Sequence, residues 1–177
     1  MRLTFVHEWL ISYAGSERVL SAAAELFPDA PIHTLLCSAG CIVGTPLAGR
    51  EIMTSLLQRL PFAASRHRML LPLMPFAVEQ LDVSDANVIL SSQHAVAHGV
   101  LTRADQLHVS YVHSPMRYAW DLHHDYLAAE GLDFGPRGLL TRYLLHRLRL
   151  WDAVAAQRVD RFVANSAYVA RRINKHY

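Results

Sequence analysis

The chain reads as an α/β protein with a Rossmann-like parallel sheet flanked by helices. Three observations predict this. Short apolar, β-prone runs alternate with segments of helical spacing along the whole chain, and that alternation implies crossover connections between parallel strands. Three of the strands end in polar residues, at the carboxyl edge where such sheets hold their ligands. The 177 residues are 52% hydrophobic and 18% charged, enough material for one core and little for disorder.

Leu3-Thr-Phe-Val-His7 is a buried first strand, and Tyr13-Ala-Gly-Ser16 is a turn. From Glu17 the apolar positions Val19, Leu20, Ala23, Leu26 and Phe27 follow helical spacing, until Phe27-Pro-Asp-Ala-Pro31 stops the helix. Ile32–Leu36 is a second strand. Ser55 and Gln58 have capping-box spacing for a short helix around Leu56–Leu60. Pro61–Pro75 is apolar and proline-punctuated, with Arg66-His-Arg68 at its centre. Asn87–Leu90 is a strand followed by Ser91-Ser-Gln-His94, and His108–Val112 is another, ending in His113-Ser-Pro115. A long helix covers about 138–157. Arg161–Ala164 is the last strand, and Asn165 or Ser166 caps a final helix toward Lys175.

Composition excludes several classes. No apolar run approaches the roughly 18–20 residues of a spanning helix; the longest, Met69–Val78, is broken by Pro72 and Pro75. His7 and Glu8 interrupt any signal-peptide core. A net charge of +2 argues against nucleic-acid binding. The charge is uneven, however. Residues 1–133 hold 8 basic against 13 acidic residues, and 134–177 hold 9 against 2, so the C-terminal quarter suits an anionic neighbour. Cys37 and Cys41 form one C-x3-C pair, which fits neither a complete zinc site nor a thioredoxin motif and reads as two reduced thiols in a cytoplasmic protein.

Five groups of residues are candidates for chemistry or contact. The strand-turn-helix from His7 to Leu20 offers helix N–H groups to an anion such as a diphosphate, but its single Gly15 is also compatible with an ordinary loop. Tyr111-Val-His-Ser-Pro-Met-Arg-Tyr-Ala-Trp-Asp121 puts a proline-braced histidine at a strand end beside Arg117, a candidate to pair with phosphate, and Tyr118 and Trp120, candidates to stack on a sugar; the alternative is a buried histidine among core aromatics. His94 and His98 are four apart but lack the glutamate of H-E-x-x-H, so metal is not expected. Asp82, Asp85, Asp121 and Asp125 are candidate carboxylates with no pairing visible. In the long helix, Leu140, Tyr143, Leu144, Trp151 and Val154 form an apolar face opposite Arg142, His146 and Arg149. That pattern is either a solvated face or a membrane-lying one, with Arg147 on the apolar side.

His7-Glu-Trp-Leu, Gly15-Ser-Glu-Arg-Val-Leu20, Phe27-Pro-Asp-Ala, Leu70-Leu-Pro-Leu-Met-Pro75, Ser91-Ser-Gln-His-Ala-Val-Ala97, His113-Ser-Pro-Met-Arg-Tyr-Ala-Trp-Asp121, Trp151-Asp152, Arg158-Val-Asp160 and Ala164-Asn-Ser166 follow one another in order. This sequence resembles the amino-terminal half of family 4 retaining glycosyltransferases, particularly bacterial mannosyltransferase-like members of polysaccharide assembly. The resemblance spans nearly the whole chain, and the block from His113 to Asp121 is its most specific part.

The resemblance implies one half of a GT-B enzyme. Residues 1–177 are then the acceptor-binding domain, and the nucleotide-sugar domain lies outside this chain, so the fragment alone is expected to be inactive. It implies that His113 touches the donor sugar, that Gly15 and Ser16 border the donor diphosphate, and that His94, Arg117 and Tyr118 line the acceptor side. Asn165 and Ser166 are secondary cleft residues. Ala14 stands where many members have another glycine. The implied donor is a nucleotide-sugar, with GDP-mannose expected, and no metal is required. The implied acceptor is a sugar or polyprenyl-linked saccharide, met in the cytoplasm or on the inner face of the plasma membrane. Two other readings compete: a non-catalytic glycolipid-binding domain or subunit completed by a partner protein, and another nucleotide-dependent Rossmann enzyme, against which the missing glycine fingerprint counts.

Overall fold

The computed structural model describes residues 2–177. Among them six strands form one sheet: β1 (Leu3–Leu10), β2 (Ile32–Cys37), β3 (Ile52–Thr54), β4 (Val88–Gln93), β5 (Leu107–Val112) and β6 (Arg161–Ala164). All are parallel, in the order β3-β2-β1-β4-β5-β6. The fold is α/β and Rossmann-like, as the sequence predicts. The strand order reverses between β1 and β4, and the crevice above that point is where open sheets of this kind bind ligands.

The helices are α1 (Gly15–Leu26), α2 (Ala39–Ile42), α3 (Met74–Glu79), α4 (His123–Ala129), α5 (Gly135–Ala156) and α6 (Ala167–His176). One core cluster joins Phe5, Leu20, Ala24, Ile32 and Leu47 around α1. A larger one joins Val6, Leu36, Ile89 and Val96 to residues of α3 and α5 such as Val78 and Leu148. A third, of Val112, Val169 and Ile173, seats α6 on β5 and β6. Both faces of β1, β2 and β4 are covered, so even polar strand residues such as Thr4, His7, Glu8, His33, Thr34 and Ser91 are buried. α1 presents Leu20, Ser21 and Ala24 inward, at helical spacing. Its carboxyl end is closed by Arg50, which donates to the carbonyls of Ala24, Phe27 and Pro28. Gly99 is required where it stands, because a Cβ there would lie 2.2 Å from the Trp151 ring of α5.

Several expectations shift. β1 continues past His7 to Leu10, and β4 runs to Gln93, so Ser91–Gln93 are strand residues rather than the segment that follows the strand. β3 and α4 had no clear sequence signal. Ser55 caps a 3-10 turn over Leu56–Arg59, accepting from the Leu57 N–H. Gln58 does not complete a capping box; it pairs instead with the Cys37 backbone at the end of β2, at 2.8 and 3.0 Å. Cys37 and Cys41 are free thiols.

The inward face of α5 also differs from the sequence reading. It runs through Gly138, Leu145, Leu148, Asp152, Ala155 and Ala156. Leu140, Tyr143 and Val154, expected to pack, are 58%, 57% and 62% exposed. Arg142 and Arg149, expected as a free cationic stripe, are tied down to the carbonyls of Asp133 and Ala119. Arg147 lies on the exposed apolar side with no buried anion. The reversal has a polar cause: buried Asp152 must face Trp120 and Tyr177, and that fixes the helix rotation.

His108 yields a prediction. It is fully buried, its Nε2 2.9 Å from Ser91 Oγ. Burial pushes its pKa down to about 4. The fold therefore holds the neutral form, so this stability is complete above the unfolded value near 6.5 and is lost as pH falls toward 4. The loss amounts to roughly 2–3 kcal/mol between pH 7 and pH 4.5. His108→Gln should flatten that dependence in urea unfolding at the two pH values. His94 works in the opposite sense, so the variant comparison isolates His108.

Candidate functional site

The site grows from three adjacent strand ends. His7 of β1 stands opposite Ser92 of β4, and Ser92 stands opposite Tyr111 of β5. One residue further out on β1 is Glu8, and two residues further out, past Gln93 and Val112, are His94 and His113. Glu8 is fully buried. Its Oε1 accepts from four consecutive main-chain N–H groups, His94, Ala95, Val96 and Ala97, at 2.9–3.2 Å. The carboxylate thus gathers the chain as it leaves β4. Its Oε2 lies 3.2 Å from His94 Nδ1, an ion-pair contact off the hydrogen-bond line. Burial favours protonation of Glu8, but the His94 contact and the backbone donors override it and hold the acid far below the usual carboxylate range. Burial alone would lower the pKa of His94; the adjacent Glu8 carboxylate raises it instead.

His113 follows β5. Its Nε2 is 2.9 Å from Ser92 Oγ, which lies 3.2 Å from His7 Nδ1. His7 Nε2 is 3.5 Å from Glu17 Oε1 in the first turn of α1. Glu17 Oε2 accepts from the Ala14 N–H at 2.9 Å, the one half of a capping box that an alanine N-cap permits. Burial opposes ionisation of Glu17, yet the His7 hydrogen bond and the Ala14 N–H bring its pKa down to about 2. Desolvation lowers the pKa of His113. Gly15 and Ser16 open α1, and a side chain at Gly15 would meet no atom within 4 Å, so nothing crowds the backbone there.

The loop after His113 is held from behind. Arg172 of α6, only 6% exposed, donates to Ser114 Oγ, to the Pro115 carbonyl and to Asp121. Trp120 Nε1 donates to Asp152 at 2.7 Å, and His98 Nε2 is 3.2 Å from the same carboxyl. Trp120 is therefore a structural anchor and not a sugar platform. Asn165 donates to the His113 carbonyl at 3.1 Å. Ser166 caps α6 by accepting from the Val169 N–H. Of the two candidates for that cap, Ser166 is the residue that makes it.

A cavity of about 990 Å³ opens beside these strand ends. Trp9, Tyr118 and Tyr126 supply aromatic walls, and His67, Arg68, His94 and Arg117 supply cations or donors, against a single acid, Glu130. Burial drives the Tyr118 hydroxyl strongly toward the neutral form. His94, Arg117 and Tyr118 meet in this cavity. His113, Gly15, Ser16, Asn165 and Ser166 do not line it. His94 sits between the two regions, its ring 6.5 Å from that of His113 and 4.8 Å from that of Trp9. A second cavity of about 580 Å³ lies at the amino ends of the strands, where His33, Asp82 and Asp85 stand, remote from the switch-point crevice.

Asp121 pairs with Arg172 and His176, Asp125 is exposed in the first turn of α4, and Asp82 and Asp85 lie at the far end of the sheet, so none of the candidate carboxylates forms a pair in the crevice. His94 and His98 diverge, one to Glu8 and the other to Asp152. Among the described residues no group of three or more His, Cys, Asp or Glu converges to hold a metal. Sequence reasoning did not assign roles to Glu8, Glu17, Arg68 or Arg172. The nearest signal was a charged residue inside an apolar strand, Glu8, because buried charges demand partners.

Glu8→Ala removes the acceptor of four N–H groups and orphans His94. It should cost about 3–5 kcal/mol in urea unfolding, with Glu8→Gln, which keeps one acceptor oxygen, losing less.

In comparisons with known proteins, no family model, no curated protein and no solved structure matches this chain.

Proposed function

We propose that this domain is the acceptor side of a retaining glycosyltransferase. In this reading it helps move a hexose, mannose from GDP-mannose by resemblance, onto a lipid-linked bacterial saccharide. A second, nucleotide-holding domain completes the enzyme. The observation that carries the reading is the cavity at the strand switch point, with aromatic walls, two arginines, two histidines and one acid. Aromatic faces stack on sugar rings, and arginines take phosphate oxygens in a bidentate way. A saccharide attached through a phosphate would satisfy both.

The chemistry assigned is as follows. Retaining transfer develops positive charge at the anomeric carbon and negative charge on the leaving diphosphate. The open N-terminus of α1 at Gly15 and Ser16 would face the diphosphate, and His113 would face the donor sugar. Arg117, Arg68 and Tyr118 would fix the acceptor so that its hydroxyl is already oriented. Metal-independent transfer remains part of the proposal, with the diphosphate neutralised by N–H groups and basic side chains.

A lipid-linked acceptor places the enzyme at a membrane, here the cytoplasmic face. No helix among the described residues is long and apolar enough to cross one. The surface favoured for peripheral contact is the proline-punctuated segment. Leu60, Phe62, Met69, Leu73 and Phe76 are all exposed there. Residues 52–78 contain three arginines, Arg59, Arg66 and Arg68, and no acid, which complements anionic headgroups. The same segment supplies His67, Arg68, Leu71 and Met74 to the cavity wall, so a lipid tail leaving the cavity would meet this patch.

Three outcomes are expected. With the full-length protein, labelled hexose passes from a nucleotide-sugar to a polyprenyl-linked saccharide, and the absence of transfer from every nucleotide-hexose tried would refute the reading. His113→Ala lowers turnover by about 100-fold while the thermal melt is unchanged, whereas Arg117→Ala raises the acceptor KM by about tenfold. Co-sedimentation with vesicles rich in anionic lipid weakens by at least about tenfold in the Arg59→Glu, Arg66→Glu double variant; equal binding to neutral vesicles would remove the electrostatic part.

A further inference from the structure

The chain of contacts from Glu17 to His113 has a direction that hydrogen bookkeeping can assign. His7 is fully buried, and Glu17 and Ser92 are 2% and 4% exposed. His7 Nε2 faces Glu17 Oε1, and His7 Nδ1 lies 3.1 Å from the Ser92 carbonyl oxygen. A carbonyl only accepts, and so does an ionised carboxylate. Both nitrogens of His7 therefore face obligate acceptors. A bare Nδ1 accepting from the Ser92 hydroxyl at 3.2 Å would still set its lone pair against the nearer carbonyl oxygen, and a bare Nε2 would face the Glu17 carboxylate, in a site buried from bulk solvent. Two N–H groups on His7 satisfy both acceptors and pair the ring with Glu17 as a buried, net-neutral couple.

The consequence falls on Ser92. With a hydrogen on His7 Nδ1, the Ser92 hydroxyl has no lone pair to donate to on that side. Its other neighbour is His113 Nε2, at 2.9 Å. The hydroxyl therefore donates to His113 Nε2, and the hydrogen of the neutral His113 ring resides on Nδ1. Asn165 grips the His113 carbonyl and Gln93 the His113 N–H, so the backbone that carries the ring is fixed as well.

We propose that Glu17, His7 and Ser92 are positioning residues that hold His113 in the Nδ1–H tautomer, so that His113 offers a hydrogen-bond donor to a ligand oxygen. It would then contact a sugar hydroxyl or phosphate oxygen as a donor and would not abstract a proton through Nδ1. The neutral Glu17–His7 couple has a second effect. It cancels a carboxylate that would otherwise repel an anion at the first turn of α1. The identity of that oxygen rests on the glycosyltransferase reading; the tautomer does not.

Long-range proton–nitrogen NMR of the imidazoles tests the assignment on this protein without any substrate. The expected spectrum shows hydrogens on both nitrogens of His7, and His113 protonated at Nδ1 with Nε2 bare. Ser92→Ala removes the donor and should move His113 toward the Nε2–H form, while Ser92→Thr should keep the wild-type pattern. Glu17→Gln should return His7 to a single N–H. In transfer assays Ser92→Ala should lower kcat by about tenfold or more with KM little changed, and Ser92→Thr should restore it. His113 found as Nε2–H in the wild type, a tautomer indifferent to Ser92→Ala, or full turnover after a demonstrated flip would each overturn the proposal. Failure of the wild type to transfer any sugar would instead sink the functional reading and leave the NMR result standing.

Discussion

The structure depends on one buried carboxylate. Glu8 sits in the strand at the centre of the sheet order, and four N–H groups of the chain leaving β4 converge on one of its oxygens. A charge without water needs several donors at once, and the turn after Gln93 supplies them. Glu8 therefore sets the shape of the crevice floor where the strand order reverses. It also keeps His94 facing the cavity with positive charge favoured. The ligand-facing cation and the fold's most demanding polar group are one unit.

The same economy recurs around it. Asp152 joins Trp120, His98 and Tyr177, tying the loop after β5 to α5 and to the end of the chain. Arg172 reaches from α6 to Ser114, Pro115 and Asp121. The loop carrying Arg117 and Tyr118 is thus fixed from beneath by residues more than 30 positions away, and its exposed side chains are free to meet a ligand. Rigid support behind a few exposed polar groups is what a preorganised site requires.

Much of the fold was legible because short β-prone stretches such as Leu3–Val6 and Val88–Leu90 alternate with segments of helical spacing, the pattern of a parallel sheet with crossovers. The strand ends at His7, Ser91–His94 and His113 were legible as ligand-side positions for the same reason. β3 was not, since three residues at a sheet edge carry too little pattern. The rotation of α5 was misread because hydropathy weighs Tyr143 and Val154 as inward and cannot see that Asp152 has three buried partners. Gln58 was misread as a cap because spacing alone cannot reveal the Cys37 backbone waiting beside it. The roles of Glu17 and Arg172 were illegible for a similar reason: each is defined by a partner distant in sequence or across the sheet.

On the proposed reading, the cavity above the β1–β4 switch point receives a phosphate-linked saccharide. Photo-crosslinking tests it most directly, using a polyprenyl diphosphate saccharide that carries a diazirine on its terminal sugar, followed by peptide mapping. Label is expected on the cavity wall, at Trp9, Arg68 or the Arg117–Tyr118 loop, suppressed by excess unlabelled acceptor. Label confined to the opposite cavity around His33 and Asp82, or no label that the unlabelled acceptor can displace, would contradict it.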